Sequence, residues 1–508
     1  MTGVYIGFST ERLPLRSLQE ISDSSIVAHL SSMANLSSPA KERLVGLLLI
    51  AAALFANEWI LTKVISADGT IEDLSLKASI WAFDLSCAVG GSFLLLYGAA
   101  ASEVIYRHAH WVLIVLSAAL LGLWVIAVEQ IYATWGLFRW LGNDFGIYFA
   151  QASVLRSGDP RGIYSLEALQ PWYQQLYDGY SSLLPDAARA THVPYPPLFS
   201  WLFRPFILPQ PHVGFILWTF VNAVAGFYLA WRAATFFQKP ERGFVALLFL
   251  SSYAFVYSLI TGQPTLLLAC AMAHFYLALR AGNDFRAGLY LSLLFFKPQY
   301  GVLLGPLLIW KQRWAAIAGV GLGAVVILGG SLMVAGLPML LQYPEAFTEM
   351  AKFRGDFPTH MINWRSLVLW LWPRISDPSG MLLELLLSGF TVVITALAWR
   401  GRWASREQRF PILMALTALA TLLANHHSLQ YGAVLLVVPL AAAAAEIELS
   451  RFSRLAVLMA CLLPALSFTF VFPLDTVAAS RLLMVFLAIS FASLFFDLNS
   501  TRSMRAPG

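Results

Sequence analysis

Twelve stretches of this chain are apolar for close to the length that crosses the hydrocarbon core of a bilayer, about 20 helical residues. They are 44–65, 79–100, 112–133, 213–231, 244–260, 264–280, 315–336, 381–399, 410–424, 430–446, 455–472 and 481–497. No water-soluble fold can hide that many. Of the 508 residues, 58% are hydrophobic and only 12% charged, against about 25% charged in soluble domains. This excludes an ordinary soluble enzyme and a disordered chain. The net charge of +5 is too small to draw an anionic polymer, so a nucleic-acid partner is excluded as well. Cys87, Cys270 and Cys461 lie far apart inside apolar runs, with no paired spacing for zinc or a disulfide framework. The fold class expected is an all-α polytopic membrane protein.

Loop charge sets the orientation. One set of short connections carries Arg107, Arg232, Lys239, Arg242, Arg280, Arg286, Lys311, Arg313, Arg400, Arg402, Arg406, Arg409, Arg451 and Arg454, whereas the short alternate connections at 66–78, 261–263, 425–429 and 473–480 carry Lys77 alone. The basic set belongs in the cytoplasm, and both termini fall there with it. Residues 1–40 are polar, serine-rich and without a secretory-signal pattern, which reads as a disordered cytoplasmic tail. Residues 41–111 hold two helices, 112–497 the main membrane domain, and 498–508 a second tail. Segment 287–310 is apolar between two basic ends, yet 24 residues are too few for two full crossings, and Lys297-Pro298 breaks its middle. A re-entrant pair of short helices and two tilted short crossings are both open, so 12 to 14 transmembrane helices are expected.

Two long connections, 134–212 and 337–380, fall on the opposite, periplasmic side. Long loops in compact proteins are commonly functional. The first alternates helix-forming stretches with Gly, Pro and aromatic residues, which reads as interfacial helices. It holds Asp144 in GNDFGIYF, where Trp140, Phe145 and Tyr148 would partly desolvate the carboxylate. A general base and a solvated helix cap are the two readings. RSGDPRGIY and Pro-Tyr-Pro-Pro at 194–197 read as loop stops or as parts of a site. Gln263, in the turn Gly262-Gln263-Pro264, is either a sugar-hydroxyl ligand or solvated. Lys297, a cation inside an apolar run, is a lipid-phosphate ligand or half of a structural ion pair. Asn425-His426-His427 lacks a nearby carboxylate in sequence, which favours a phosphate-contacting imidazole over a metal site. His360, Asn363, Trp364 and Arg365 lie on the same side. Glu58, Asp84 and Glu129 sit towards outer helix ends, where capping or snorkelling explains them.

In this order the motifs resemble glycosyltransferase family 87, within the glycosyltransferase C superfamily. They are a carboxylate after an outward-going helix, G-D-P-x-x-x-Y, Y-P-P, a G-Q turn, an A-G-L…K-P segment with a following basic pair, and a late His pair. The resemblance covers roughly 112–445, with 44–65 and 79–100 as additions before the usual start. It implies a glycosyltransferase C-like bundle and an inverting transfer from a polyprenyl-phosphate sugar, mannose or arabinofuranose, to a glycolipid or glycan acceptor. The reaction would proceed at the periplasmic face of a bacterial inner membrane, with no metal and no cofactor. Asp144 would be the base that deprotonates the acceptor hydroxyl. Tyr148, Tyr164, Tyr195, Gln263, Lys297, His360, Arg365, His426 and His427 would bind substrate. The competing reading is a secondary transporter or flippase, which would show internal repeats and ionisable groups at mid-membrane. A non-catalytic lipid-binding scaffold is a third.

Overall fold

The computed structural model describes residues 142–158, 160–176, 195–352, 360–372, 377–403, 405–446 and 476–503, with scattered positions between 449 and 461. All belong to one compact unit, His110–Gly508. The spans expected at 44–65, 79–100 and 112–133, most of 455–472, residues 1–40 and 504–508 of the expected tails, and Glu58, Asp84 and Glu129 lie outside the described residues.

Among the described residues the protein is helical throughout, with no strand. The helices, in order, are α1 (Asn143–Arg156), α2 (Leu166–Leu176), α3 (Pro197–Leu202), α4 (Pro211–Ala234), α5 (Lys239–Leu250), α6 (Tyr253–Thr261), α7 (Thr265–Arg280), α8 (Asp284–Ser292), α9 (Leu304–Trp310), α10 (Trp314–Lys352), α11 (Trp364–Leu371), α12 (Asp377–Ala398), α13 (Phe410–Ala424), α14 (Val437–Glu446) and α15 (Thr476–Ser503). Four contain apolar windows long enough to cross a membrane, at Pro211–Ala234, Trp314–Ala346, Pro378–Ala398 and Ala479–Leu498. This is an all-α polytopic membrane protein.

Helix α13 is apolar all round, and every residue from Phe410 to Leu423 is buried. Such a helix belongs at the centre of a bundle. By contrast, α10 and α12 turn Val325, Val326, Met333, Leu382, Leu386 and Phe390 outward, more than half exposed, as lipid-facing helices do. Helices α8 and α10 touch along glycines: a Cβ on Gly288 would stand 1.9 Å from the Ala316 carbonyl oxygen, and one on Gly319 2.1 Å from that of Phe285. Small residues let two backbones approach this closely.

Four sequence expectations change. The run 244–260 is two helices, because Ser251-Ser252 interrupts it and the Ser252 hydroxyl caps α6 by accepting from the Phe255 N–H. The run 430–446 begins as a 3-10 helix (Gln430–Leu436) before α14. The outer connection 337–380 starts as a continuation of α10 past a kink at Gly336. In 134–212, α2 is amphipathic, burying Leu169, Tyr173 and Leu176, but α1 is not interfacial: Phe145 through Val154 are all buried.

Segment 287–310 folds as a hairpin. Helix α8 passes through a 3-10 turn (Leu293–Phe296) to Lys297, then a second 3-10 turn (Pro298–Tyr300) leads into α9. Its ends meet through the Arg313–Asp284 ion pair. The chain therefore returns to the level where it began, with Lys297 at the apex, as both readings of this segment require. At the same end, Arg280 donates to the carbonyls of Ser405 and Glu407, and Lys311 to those of Trp399 and Gly401. The basic loops at 280–286, 311–313 and 400–409 thus share one end of the bundle. The turns at 261–264 and 425–429 lie about 24 Å away along α7.

Candidate active site

The distant end of the bundle gathers polar side chains from five sequence-separated elements. Helix α1 supplies the first. Its N-cap is Gly142, in the left-handed region at φ 70° with no side-chain cap, and its N–H donates to the Ile260 carbonyl at 2.6 Å. Asn143 Oδ1 takes up the Asp144 N–H at 2.8 Å. The Asp144 carboxylate is thereby released from capping its own helix. Gln263 and Thr261 are the polar side chains that act on it instead, so the solvated-cap reading gives way. Burial raises the Asp144 carboxyl to about 6, although the Lys297 charge and these two side chains pull it down. A carboxylate so placed is half ionised near pH 6 and still basic enough to take a proton.

One turn on, on the same face as Asp144, the Tyr148 hydroxyl donates to Gln263 Oε1 at 3.0 Å and stands 3.0 Å from the Tyr195 hydroxyl. Tyr195 is held from behind: the Tyr164 hydroxyl donates to its carbonyl at 2.6 Å, and its ring stacks on Phe199 at 4.6 Å. The Y-P-P sequence explains the local geometry, because Pro196 and Pro197 stiffen the entry to α3 just behind this tyrosine.

The turn between α6 and α7 is built for close approach. Gly262 sits at φ 77°, and a Cβ there would lie 2.8 Å from that of Phe145. Its carbonyl accepts the Trp218 indole N–H at 2.6 Å. Gln263 is consequently not a solvated turn residue. It is 2% exposed, and its amide oxygen receives both Tyr148 and the Lys297 ammonium, the latter at 2.5 Å. Its amide nitrogen is left for Asp144.

Lys297 is 4% exposed. Its ammonium lies over the Tyr431 ring at 4.5 Å and the Tyr195 ring at 5.7 Å, where aromatic faces stabilise a cation. Among the described residues no carboxylate is within ion-pair distance of it. The structural-ion-pair reading therefore has no partner here, and Asp144 is the acidic group whose field it feels.

A second group adjoins the first. Residues 361–363 pair with the His turn: Ile362 N–H donates to the Ser428 carbonyl at 2.8 Å, Met361 bridges Leu429, and Asn363 Nδ2 donates to the Asn425 carbonyl at 2.7 Å. Asn425 Nδ2 in turn donates to the Gln299 carbonyl at 3.3 Å, tying this turn to the Lys297 apex. Half-buried His360 opens the paired segment. Arg365 reaches His426 at 2.8 Å, and the other ring nitrogen of His426 meets Glu384 at 2.7 Å. His427 lies within reach of the Lys297 charge. Burial, together with the charges of Lys297, His426 and Arg365, pushes its imidazole down to about 3, so it is neutral and able to donate or accept. Among the described residues no three His, Cys, Asp or Glu side chains gather as metal ligands.

Asp144, Tyr148, Tyr195, Gln263, Lys297 and His427 thus form one cluster. Tyr164 supports it from behind, and Arg365 and His426 flank it. Sequence reasoning passed over three participants. Thr261 and Tyr431 carry no distinguishing signal. Glu384 does: a carboxylate inside an apolar span is as costly as the Lys297 cation inside its apolar run.

Residues 193–425 match the family model described as glycosyltransferase family 87. The motif-based resemblance at 112–445 is met over this shorter stretch, which includes Tyr195, Gln263, Lys297, His360 and Arg365 and ends one residue before His426. Asp144, Tyr148 and Tyr164 precede it. No curated protein and no solved structure matches the chain. The family match supports a membrane glycosyltransferase.

Proposed function

We propose that this membrane glycosyltransferase moves a hexose or pentose, with mannose and arabinofuranose the leading candidates, from a polyprenyl-phosphate donor to a glycolipid or glycan hydroxyl. The reaction inverts the anomeric centre and takes place on the periplasmic face of a bacterial inner membrane. The observation that carries the reading is the juxtaposition of one carboxylate, raised to about 6, with a buried cation that has no ion-pair partner among the described residues.

The chemistry follows from that pair. Asp144 accepts the proton of the acceptor hydroxyl as its oxygen attacks the anomeric carbon. The bond from that carbon to the phosphate oxygen breaks with its electron pair, and the lipid phosphate departs with added negative charge. An anionic leaving group calls for cations and hydrogen-bond donors rather than a general acid. Lys297, neutral His427 and Arg365 are the groups assigned to it. Gln263 links the two halves, because one amide holds the base through its nitrogen and the cation through its oxygen. No step here needs a cofactor or metal.

The side of the membrane is inferred from charge. The basic loops gather at the end opposite the cluster, and basic loops stay in the cytoplasm. A lipid-anchored donor would then reach the site from the outer leaflet. Polar groups concentrated at one end favour this reading over a transporter, whose ionisable groups sit near mid-membrane.

Asp144→Asn tests the proposal. Asparagine keeps the size and can still accept a hydrogen bond, but it cannot take a proton. Removing a positioned base costs about 10²–10⁴-fold in rate. Transfer from radiolabelled polyprenyl-phosphate sugars should fall by that factor in a folded variant. Retention of most of the wild-type activity would remove Asp144 as base.

A further inference from the structure

Outside the Asp144–Lys297 cluster, one buried ionisable group has no part in the mechanism. Glu384 lies in α12, a candidate membrane span, among Met381, Leu382, Leu385 and Leu386, each more than half exposed. Glu384 itself is turned inward and 7% exposed. An acidic side chain in an apolar helix is expensive without a partner. Its partner is His426, whose Nδ1 lies 2.7 Å from Glu384 Oε1, while Arg365 Nη1 lies 2.8 Å from His426 Nε2.

The protons in this chain can be assigned by elimination. An arginine guanidinium only donates, so His426 Nε2 must be the unprotonated, accepting nitrogen. The remaining ring proton then sits on Nδ1 and is donated to the Glu384 carboxylate. The opposite tautomer would set an N–H against a guanidinium N–H and a lone pair against a carboxylate. Glu384 therefore selects the tautomer that lets His426 hold Arg365, the same relation by which an outer carboxylate orients a histidine towards what it binds. Arg365 is close enough for its charge to act on His427, so its position bears on the cluster at Lys297.

We propose that Glu384 is a positioning residue: through the Nδ1–H tautomer of His426 it fixes the Arg365 guanidinium in place to receive the phosphate of a lipid-linked substrate. This rests on the reading of the donor as a polyprenyl phosphate. It adds a residue that never touches the substrate and lies on a helix facing lipid.

The test uses the full chain in nanodiscs and polyprenyl phosphate without sugar as the probe, so that binding is read apart from turnover. Glu384→Leu should weaken probe binding about tenfold, the effect of losing a hydrogen bond to a charged group. Glu384→Gln, whose oxygen can still accept from Nδ1, should restore most of that loss. In a His426→Ala background, Glu384→Leu should cost nothing further, since its action passes through the imidazole. Full affinity in Glu384→Leu, or losses that add across the two backgrounds, would overturn the proposal. A readout on the unmutated protein guards against a leucine variant that does not fold. Nitrogen-15 NMR of labelled histidines, with His426 identified from the spectrum of His426→Asn, should show the Nδ1–H tautomer at neutral pH. The Nε2–H tautomer would overturn the assignment. Wild-type protein that neither binds the probe nor transfers sugar would bring down the functional reading as well. Binding and transfer with uncoupled variants would bring down the Glu384 proposal alone.

Discussion

Gly262 holds the site's architecture in one residue, and its replacement by alanine can be worked through from geometry. Two penalties add. The backbone sits at φ 77°, where an L side chain costs about 1–2 kcal/mol. The new Cβ would also stand 2.8 Å from the Phe145 Cβ, and Phe145 is 0% exposed, wedged against Phe203 and Phe215. Overpacking a rigid core neighbour costs about 1–3 kcal/mol. Gly262→Ala should therefore destabilise by about 2–5 kcal/mol, a drop in Tm of roughly 2–6 °C for a unit of this size. Phe145 follows Asp144 in α1, so the displacement should reduce transfer activity even where the variant stays folded. Thermal unfolding in detergent checks the magnitude, with Gly321→Ala as the matched control. Gly321 is helical and faces open space, so alanine there should be neutral or stabilise by up to ~1 kcal/mol. Equal Tm values for the two variants would refute the steric account of the 261–263 turn.

The pH dependence of transfer should show an acid limb near 6: below it Asp144 is protonated and cannot act as base, so the rate should fall about tenfold per unit as pH drops. A profile flat from pH 5 to 8 in steady-state kinetics would contradict the base assignment. Lys297→Met keeps the length of the side chain while removing its charge; polyprenyl-phosphate affinity should fall by about tenfold or more, and the acid limb should move upward because a charge that lowers Asp144 is gone. Unchanged donor affinity in folded Lys297→Met would take the lysine out of the site. For orientation, single cysteines at Ser157 and Arg406 in a cysteine-free background should behave oppositely with an impermeant thiol reagent on intact spheroplasts: Ser157→Cys labelled, Arg406→Cys protected. The reverse pattern would move the cluster to the cytoplasmic leaflet.

The sequence made the bundle readable wherever helices are long and apolar, since burial in lipid leaves a signal at every position of a span. It failed where the apolar run conceals a break. Ser251-Ser252 and the 3-10 start at Gln430 both lie inside stretches of unbroken hydrophobicity, and a hydrophilic pair too short to end the run still ends the helix. Helix α1 shows the converse error. Its glycine and aromatic content resembles an interfacial segment, yet it is buried on every side because Phe203, Phe215 and the α6–α7 turn close over Phe145. Candidate residues were legible as types but not as partners. Gln263 was visible as a turn amide, whereas its shared oxygen depends on a lysine 34 positions away. Glu384 was overlooked because a single acid in a span passes the hydropathy test that found the span.

A base and a leaving-group cation must be close enough to serve one reaction, yet held from collapsing into an ion pair that would neutralise both. Here the separation is built from a neutral side chain. Gln263 cannot swing into either role, because its oxygen is fixed by Tyr148 and Lys297 and its backbone by the Gly262 turn. The tyrosine faces around Lys297 stabilise the ammonium without supplying a negative charge that a phosphate would need to displace. Asp144 is meanwhile kept from full ionisation by burial and from full protonation by the Lys297 charge and by the Gln263 and Thr261 side chains. Exchanging Gln263 for glutamate would place a carboxylate between them, pair it with Lys297, and repel the ionisation of Asp144. The arrangement therefore depends on an amide at this position, for a reason separate from the turn it occupies.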